Sequence, residues 1–129
     1  MVIYLDNNAT TQVDPAVLAA MLPYLSDFYG NPSSMHSFGG QVGAAVQTAR
    51  EQVAALLGAE DTEIIFNSCG SEGNNTAIHA ALAAQPDKRH IITTAVEHPA
   101  ILNVCKHLEK NGYSITYLSV DSRGQSDLM

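Results

Sequence analysis

The chain has 129 residues, a net charge of -7 at pH 7 and a pI near 4.9, with 46% hydrophobic and 15% charged residues. That length holds one domain with a real core, and the acidic balance argues against nucleic acid or an anionic membrane surface as partner. No apolar run is long enough to span a bilayer, the start Met1-Val-Ile-Tyr-Leu-Asp6 lacks the basic region and cleavage site of a signal peptide, and Cys69 and Cys105 fit neither a disulfide framework nor a metal spacing, so a reducing cytoplasm is the expected setting.

Val2–Leu5 reads as a short extended segment. Asp6-Asn-Asn-Ala-Thr-Thr11 follows, dense in side chains that cap and turn the backbone. Asp14-Pro15 is a helix start, with Asp as N-cap and Pro at the first position. Val17, Leu18, Met21, Leu22 and Leu25 recur at helical spacing, and Pro23 interrupts that helix. Tyr29-Gly-Asn-Pro-Ser-Ser34 is a loop by composition. A long helix is expected from Ser37 to Leu57, with Val42, Val46, Ala49, Val53, Leu56 and Leu57 as its apolar face and Gly58 ending it.

The second half centres on Glu63-Ile-Ile-Phe-Asn-Ser-Cys-Gly-Ser-Glu-Gly-Asn-Asn75. Its apolar start predicts a strand over Glu63–Asn67, buried on both faces of a parallel sheet. A small polar loop, Ser68–Gly70, then leads into a helix from about Ser71 to Ala84, with Ser71 as cap and Glu72 at the positive end. A strand, a small-residue loop and a helix start together make an anion site, since free N–H groups and the helix dipole point the same way. The competing reading is an ordinary strand-to-helix connection. A strand at His90–Thr94, a helix at Pro99–Lys110, a closing Asn111-Gly112 and a strand at Ser114–Val120 follow. The tail Asp121–Met129 stops without a helix. The fold class is therefore α/β: an incomplete, mainly parallel sheet with flanking helices. Residues 1–58 form an N-terminal extended segment and two helices; residues 59–129 form three βα-like units. Ligands of such sheets sit outside the carboxyl ends of the strands, where the loops Ser68–Ser71 and Ala95–Pro99 lie.

His98, in Val96-Glu-His-Pro99, precedes a helix-starting proline and can face a ligand held by the neighbouring loop, stacking on a planar ring or moving a proton. A solvated side chain or a plain N-cap is the alternative. His36, His79, His90 and His107 show no metal spacing and read as structural or surface groups. Cys69 lies where a helix start lowers a thiol pKa, yet reads best as a small residue that fits the turn, and Cys105 reads as core. Lys88, Lys106 and Lys110 look solvated, with nothing to make any of them a Schiff-base nucleophile.

Tyr4-Leu-Asp-Asn-Asn-Ala-Thr-Thr11, Tyr29-Gly-Asn-Pro-Ser-Ser34, Phe66-Asn-Ser-Cys-Gly-Ser-Glu-Gly-Asn-Asn75 and Thr94-Ala-Val-Glu-His-Pro-Ala100 together resemble, in that order, the N-terminal portion of cysteine desulfurases, closest in flavour to the nitrogenase-associated branch. The resemblance implies the large domain of the pyridoxal-phosphate-dependent, aminotransferase-like fold (fold type I). It implies conversion of L-cysteine to L-alanine, with sulfur passed as an enzyme persulfide to an iron–sulfur scaffold protein, in a homodimer. By it, Gly70 and Ser71 hold the cofactor phosphate, His98 stacks on the pyridine ring and assists proton transfer, and Asn7, Asn8 and Ala9 line the substrate entrance. The family more usually has Thr at Ser71, whose hydroxyl serine keeps, and a small residue at Cys69. Its members are much longer: the Schiff-base lysine, the aspartate on the pyridine nitrogen, the persulfide cysteine and the carboxylate-binding arginine have no counterpart here. The alternatives are a catalytically inactive fragment and a selenocysteine lyase or aminotransferase relative. In the family, the strand matching Glu63–Asn67 does not neighbour the one matching His90–Thr94, because the strands between them come later in the chain.

Overall fold

The computed structural model describes residues 3–126, and these fall into two compact units, within Met1–Ile65 and within Phe66–Met129. Val2, the first residue of the expected extended segment, and the end of the tail lie outside the described residues.

The first unit is helical. Helix α1 (Pro15–Met21) starts where Asp14 Oδ1 accepts the Ala16 N–H at 2.7 Å, with Pro15 in the first turn. Pro23 ends it, and the short helix α2 (Pro23–Ser26) begins on that proline. Its missing N–H costs least at a helix start. Helix α3 (Ser37–Leu57) has the expected bounds. His36 caps it, Nδ1 accepting the Gly39 N–H at 3.2 Å, and Gly58 closes it at φ 68°.

The loop Tyr29–Ser34 lies against the first turns of α3 because two glycines leave room. A Cβ at Gly39 would stand 2.4 Å from the Asn31 carbonyl oxygen and 2.7 Å from the Ser34 Cβ, and one at Gly43 would stand 2.9 Å from the Pro32 carbonyl oxygen. Tyr29 adds an edge-to-face contact with Phe38 at 5.1 Å. At the far end, Gln47 Nε2 donates to Asp61 Oδ2 at 2.6 Å and the Arg50 guanidinium donates to the Ile64 carbonyl, fastening the 3-10 turn Asp61–Glu63 to α3. Of the expected apolar face only Val42 is buried, joined by Gly39 and Ala54, while Leu56 is 84% and Leu57 69% exposed. Periodicity marks which face is apolar; it does not supply something to cover it.

The second unit is a βαβ unit with one further helix. Strand β1 (His90–Thr94), helix α5 (Pro99–Lys110) and strand β2 (Ser114–Leu118) follow helix α4 (Gly70–Ala84). The strands pair in parallel, from His90↔Ser114 to Thr94↔Leu118. Val104, Cys105 and Leu108 form the buried side of α5, and Cys105 is 0% exposed. Lys106 and Lys110 face solvent. Asn111 caps α5, and Gly112 turns the chain at φ 84°. His90 Nε2 meets Thr116 Oγ1 at 2.7 Å across the strands.

Two expectations fail. Glu63–Asn67 is no strand: Glu63 ends the 3-10 turn, Ile64–Asn67 carries no ladder, and Ile65 is 72% exposed. The apolar run is strand-like, but a strand exists only with a neighbour, and among the described residues the sheet has two strands, β1 and β2. One βαβ unit therefore stands where three βα-like units were expected. β2 also ends at Leu118, two residues early. Val120 instead makes an antiparallel bridge with Ser126, around a turn in which Asp121 Oδ1 accepts the N–H groups of Arg123 and Gln125 at 2.8 and 3.0 Å.

Candidate functional site

The helix start at α4 is built differently from the sequence expectation. Cys69, extended at φ -169° and ψ 169°, is the N-cap, and Ser71 is the second helical residue rather than the cap. The first N–H groups of any helix lack intrahelical partners, so those of Gly70, Ser71 and Glu72 are the donors this end presents. At Gly70 an added Cβ would meet nothing within 4 Å, so the approach is open. Asn75 Nδ2 donates to the Ser71 carbonyl at 2.8 Å and steadies the turn.

Glu72 does something the sequence reading missed. Its Oε2 accepts the Ser68 hydroxyl at 2.5 Å and the Ser68 N–H at 2.7 Å. Those two bonds, the hydroxyl first, hold its carboxyl below the usual range. The carboxylate is thus occupied with the loop. The signal was a serine four residues before a glutamate at a helix start, a relative of the capping box.

The Cys69 thiol is lowered from its ordinary value by the Glu72 N–H, then the Ser68 hydroxyl, then the Ser71 N–H. The donors that favour this thiolate are those an incoming phosphate oxygen would use. The helix-start N–H groups and the Ser71 hydroxyl suit a phosphate oxygen, which would displace the Cys69 sulfur from the Ser71 and Glu72 N–H groups, while the ionised Glu72 carboxylate beside them works against an anion.

His98 caps α5, with Nδ1 accepting the Ala100 N–H at 3.1 Å. In the neutral ring that bond leaves the proton on Nε2. The loop before it is tied by the Thr94 hydroxyl donating to Glu97 Oε1 at 2.9 Å. Helices α4 and α5 flank a cleft of about 280 Å³ lined by Asn75 and His79 on one side and Pro99, Ala100, Asn103 and His107 on the other. Asn75 is bonded to Ser71, and Pro99 follows His98. Gly70, Ser71 and His98 are therefore brought to the N-terminal end of one helix pair.

Asn7, Asn8 and Ala9 belong to the first unit, on an exposed turn closed by the Ala9 N–H donating to the Asp6 carbonyl at 3.1 Å and by Tyr4 Oη to Thr10 Oγ1 at 2.6 Å. Lys88, Lys106 and Lys110 are all exposed. Among the described residues, no three His, Cys, Asp or Glu side chains cluster as a metal site, and no helix is long and apolar enough to cross a membrane.

Comparison with known proteins shows the family. The chain is 80% identical over 128 residues to cysteine desulfurase 2 of Trichormus variabilis, covering 99% of this chain and 32% of that protein. A solved NifS-like protein superposes with a TM-score of 0.92 at 42% identity, over 99% of this chain and 35% of its own. SspA, solved in complex with cysteine, gives 0.82 at 40% identity, over 88% and 33%. The chain spans about a third of the length of these relatives. Aminotransferase class-V matches residues 3–129, and the chain belongs to that family.

Proposed function

We propose that this chain is the phosphate-holding portion of a cysteine desulfurase, acting in the conversion of L-cysteine to L-alanine with transfer of the sulfur. The family is pyridoxal-phosphate-dependent, and the α4 start fits that group's phosphate. One observation carries the reading: the helix-start donors of Gly70 and Ser71 and the capping His98 lie at the N-terminal ends of α4 and α5, in a chain 80% identical over 128 residues to a desulfurase. Bound pyridoxal phosphate supplies an electron sink for the substrate. Gly70 and Ser71 take the phosphate through backbone N–H groups and the Ser71 hydroxyl. His98 stacks on the ring, and Ala100 fixes its tautomer so that the proton to be moved sits on Nε2. Asn7, Asn8 and Ala9 line the substrate entrance. A homodimer, an iron–sulfur scaffold as sulfur acceptor, a role in nitrogen fixation and a cytoplasmic setting complete the reading. The division of the chain at residue 58, with the large domain beginning at residue 59, belongs to it too.

The test grafts this chain in place of the matching third of the Trichormus variabilis enzyme and follows alanine release from L-cysteine. The graft is expected to turn over. Ser71→Ala is expected to weaken cofactor retention by roughly 10- to 100-fold, the worth of one charge-assisted hydrogen bond. His98→Ala is expected to slow alanine release by about 10²–10⁴-fold with the cofactor retained. A folded, cofactor-loaded graft that makes no alanine would refute the proposal.

A further inference from the structure

We propose that Glu97 is a positioning residue for His98: through the Thr94 hydroxyl it locks the turn between β1 and α5, and the locked turn holds the His98 ring in one place and one tautomer. The inference rests on His98 as the group that moves the proton, whereas the hydrogen bonds behind it stand without that role.

The turn is short, and hydrogen bonds mark its path. At the strand end the Ala95 N–H donates to the Leu118 carbonyl at 2.9 Å, which ties the turn to β2. At the helix end His98 Nδ1 accepts the Ala100 N–H at 3.1 Å. Between those points the Thr94 hydroxyl donates to Glu97 Oε1 at 2.9 Å, joining the last residue of β1 to the residue before the α5 cap. Thr94 and Glu97 are half-buried, while Ala95 and Val96 between them are exposed.

The Glu97 carboxylate lies on the inner side of this turn. The Cys105 thiol, 0% exposed on the buried face of α5, is raised by desolvation first and by the Glu97 charge next. A hydroxyl-to-carboxylate bond partly shielded from water is stronger than an exposed one. Glu97 also precedes the N-cap, where its charge favours the positive end of α5. His98 by contrast is exposed, and among the described residues its side chain makes one hydrogen bond, the one to Ala100. Pro99 restricts the His98 backbone to the extended region, where it stands at φ -58° and ψ 147°. That restriction fixes the shape of the cap residue but not where the loop delivers it. The delivery is left to the Thr94–Glu97 bond, and the Ala100 bond forms only if His98 arrives in place.

The first readout uses the chain without cofactor or substrate. Imidazole nitrogen NMR shifts of His98, taken where the ring is neutral, are expected to place the proton on Nε2 alone. Glu97→Ala and Thr94→Val are each expected to mix the two tautomers. Each should also speed Ala100 amide exchange by roughly 10- to 100-fold, the loss of one charge-assisted hydrogen bond. Unchanged exchange at Val104 and Leu108 checks that the variants keep their fold. Glu97→Gln, which keeps an oxygen for Thr94, is expected to restore most of both signals. The second readout uses the cofactor-loaded graft. There Glu97→Ala is expected to lower kcat for alanine release by roughly 10- to 100-fold with KM unchanged, and to cost nothing further once His98 is alanine. A folded Glu97→Ala or Thr94→Val chain that keeps the His98 tautomer and Ala100 exchange of the unsubstituted chain would overturn the inference. So would a further loss from Glu97→Ala in the His98→Ala background, or a Glu97→Gln variant no better than Glu97→Ala. Thr94→Val removes the same bond at nearly constant shape, so the NMR readout decides even if Glu97→Ala does not fold. A graft that fails to turn over counts against the desulfurase reading alone, because the NMR readout needs no turnover.

Discussion

Two adjacent glycines of α3 give opposite expectations on substitution by alanine. At Gly40 an added Cβ meets nothing within 4 Å. Gly40→Ala should therefore gain about 0.5–1 kcal/mol, the ordinary advantage of alanine over glycine in a helix. At Gly39, which is buried, the same Cβ falls 2.4 Å from the Asn31 carbonyl oxygen and 2.7 Å from the Ser34 Cβ. Both neighbours must retreat by close to an ångström, and one of them is backbone. Overpacking of this kind costs about 1–3 kcal/mol. The propensity gain is common to both variants, so their difference isolates the clash at about 1–3 kcal/mol. Urea unfolding of the two variants, with amide shifts of Ser33 and Ser34 as reporters of the loop, measures it. The reasoning is refuted if Gly39→Ala is as stable as Gly40→Ala, or if Gly39→Ala leaves the loop shifts unchanged.

Cys69 should alkylate much faster than Cys105 in the folded chain near neutral pH, because the first is exposed with its thiol lowered by helix-start N–H groups and the second is buried with its thiol raised by desolvation. Mass mapping after a brief iodoacetamide pulse checks this, and urea should erase the difference. Glu72→Gln should loosen the Ser68 turn, seen as faster Ser68 amide exchange. Since the Glu72 carboxyl is held below its ordinary value, its contribution is present in full above roughly pH 4.3 and lost as pH falls through the lower folded value, so the two proteins should converge in acid. The isolated chain with added pyridoxal phosphate should make no alanine from L-cysteine above the free-cofactor background, since Lys88, Lys106 and Lys110 are all exposed. Robust turnover, or one specific lysine labelled after borohydride reduction, would contradict this.

Local chemistry carried much of the fold. Asp14-Pro15, Pro23 and Gly58 act within a turn of themselves, so the start of α1, the break at Pro23 and the bounds of α3 were legible, whereas the break makes a separate helix α2 and so three helices where two were expected. His98-Pro99 and Asn111-Gly112 did the same for α5. The helix-start donors were legible too, because every helix start has them. The cap was not: whether Cys69 or Ser71 takes the extended conformation depends on how the chain arrives from Phe66 and Asn67. The reach of Glu72 back to Ser68 likewise needs the loop's path.

What the sequence alone determined is where the chain turns, which segments favour helix, and where helix-start donors and a loop histidine stand. Those properties arise from dihedral preferences and side-chain chemistry over a few residues. What only the tertiary structure decided is which apolar segments find partners. Ile64–Phe66 and His90–Thr94 are both rich in strand-favouring residues, yet only the second meets a neighbouring strand and joins a ladder. Leu56 and Leu57 belong to the apolar face of α3, yet they stay exposed. Pairing and burial are relations between distant segments, and no local pattern contains them.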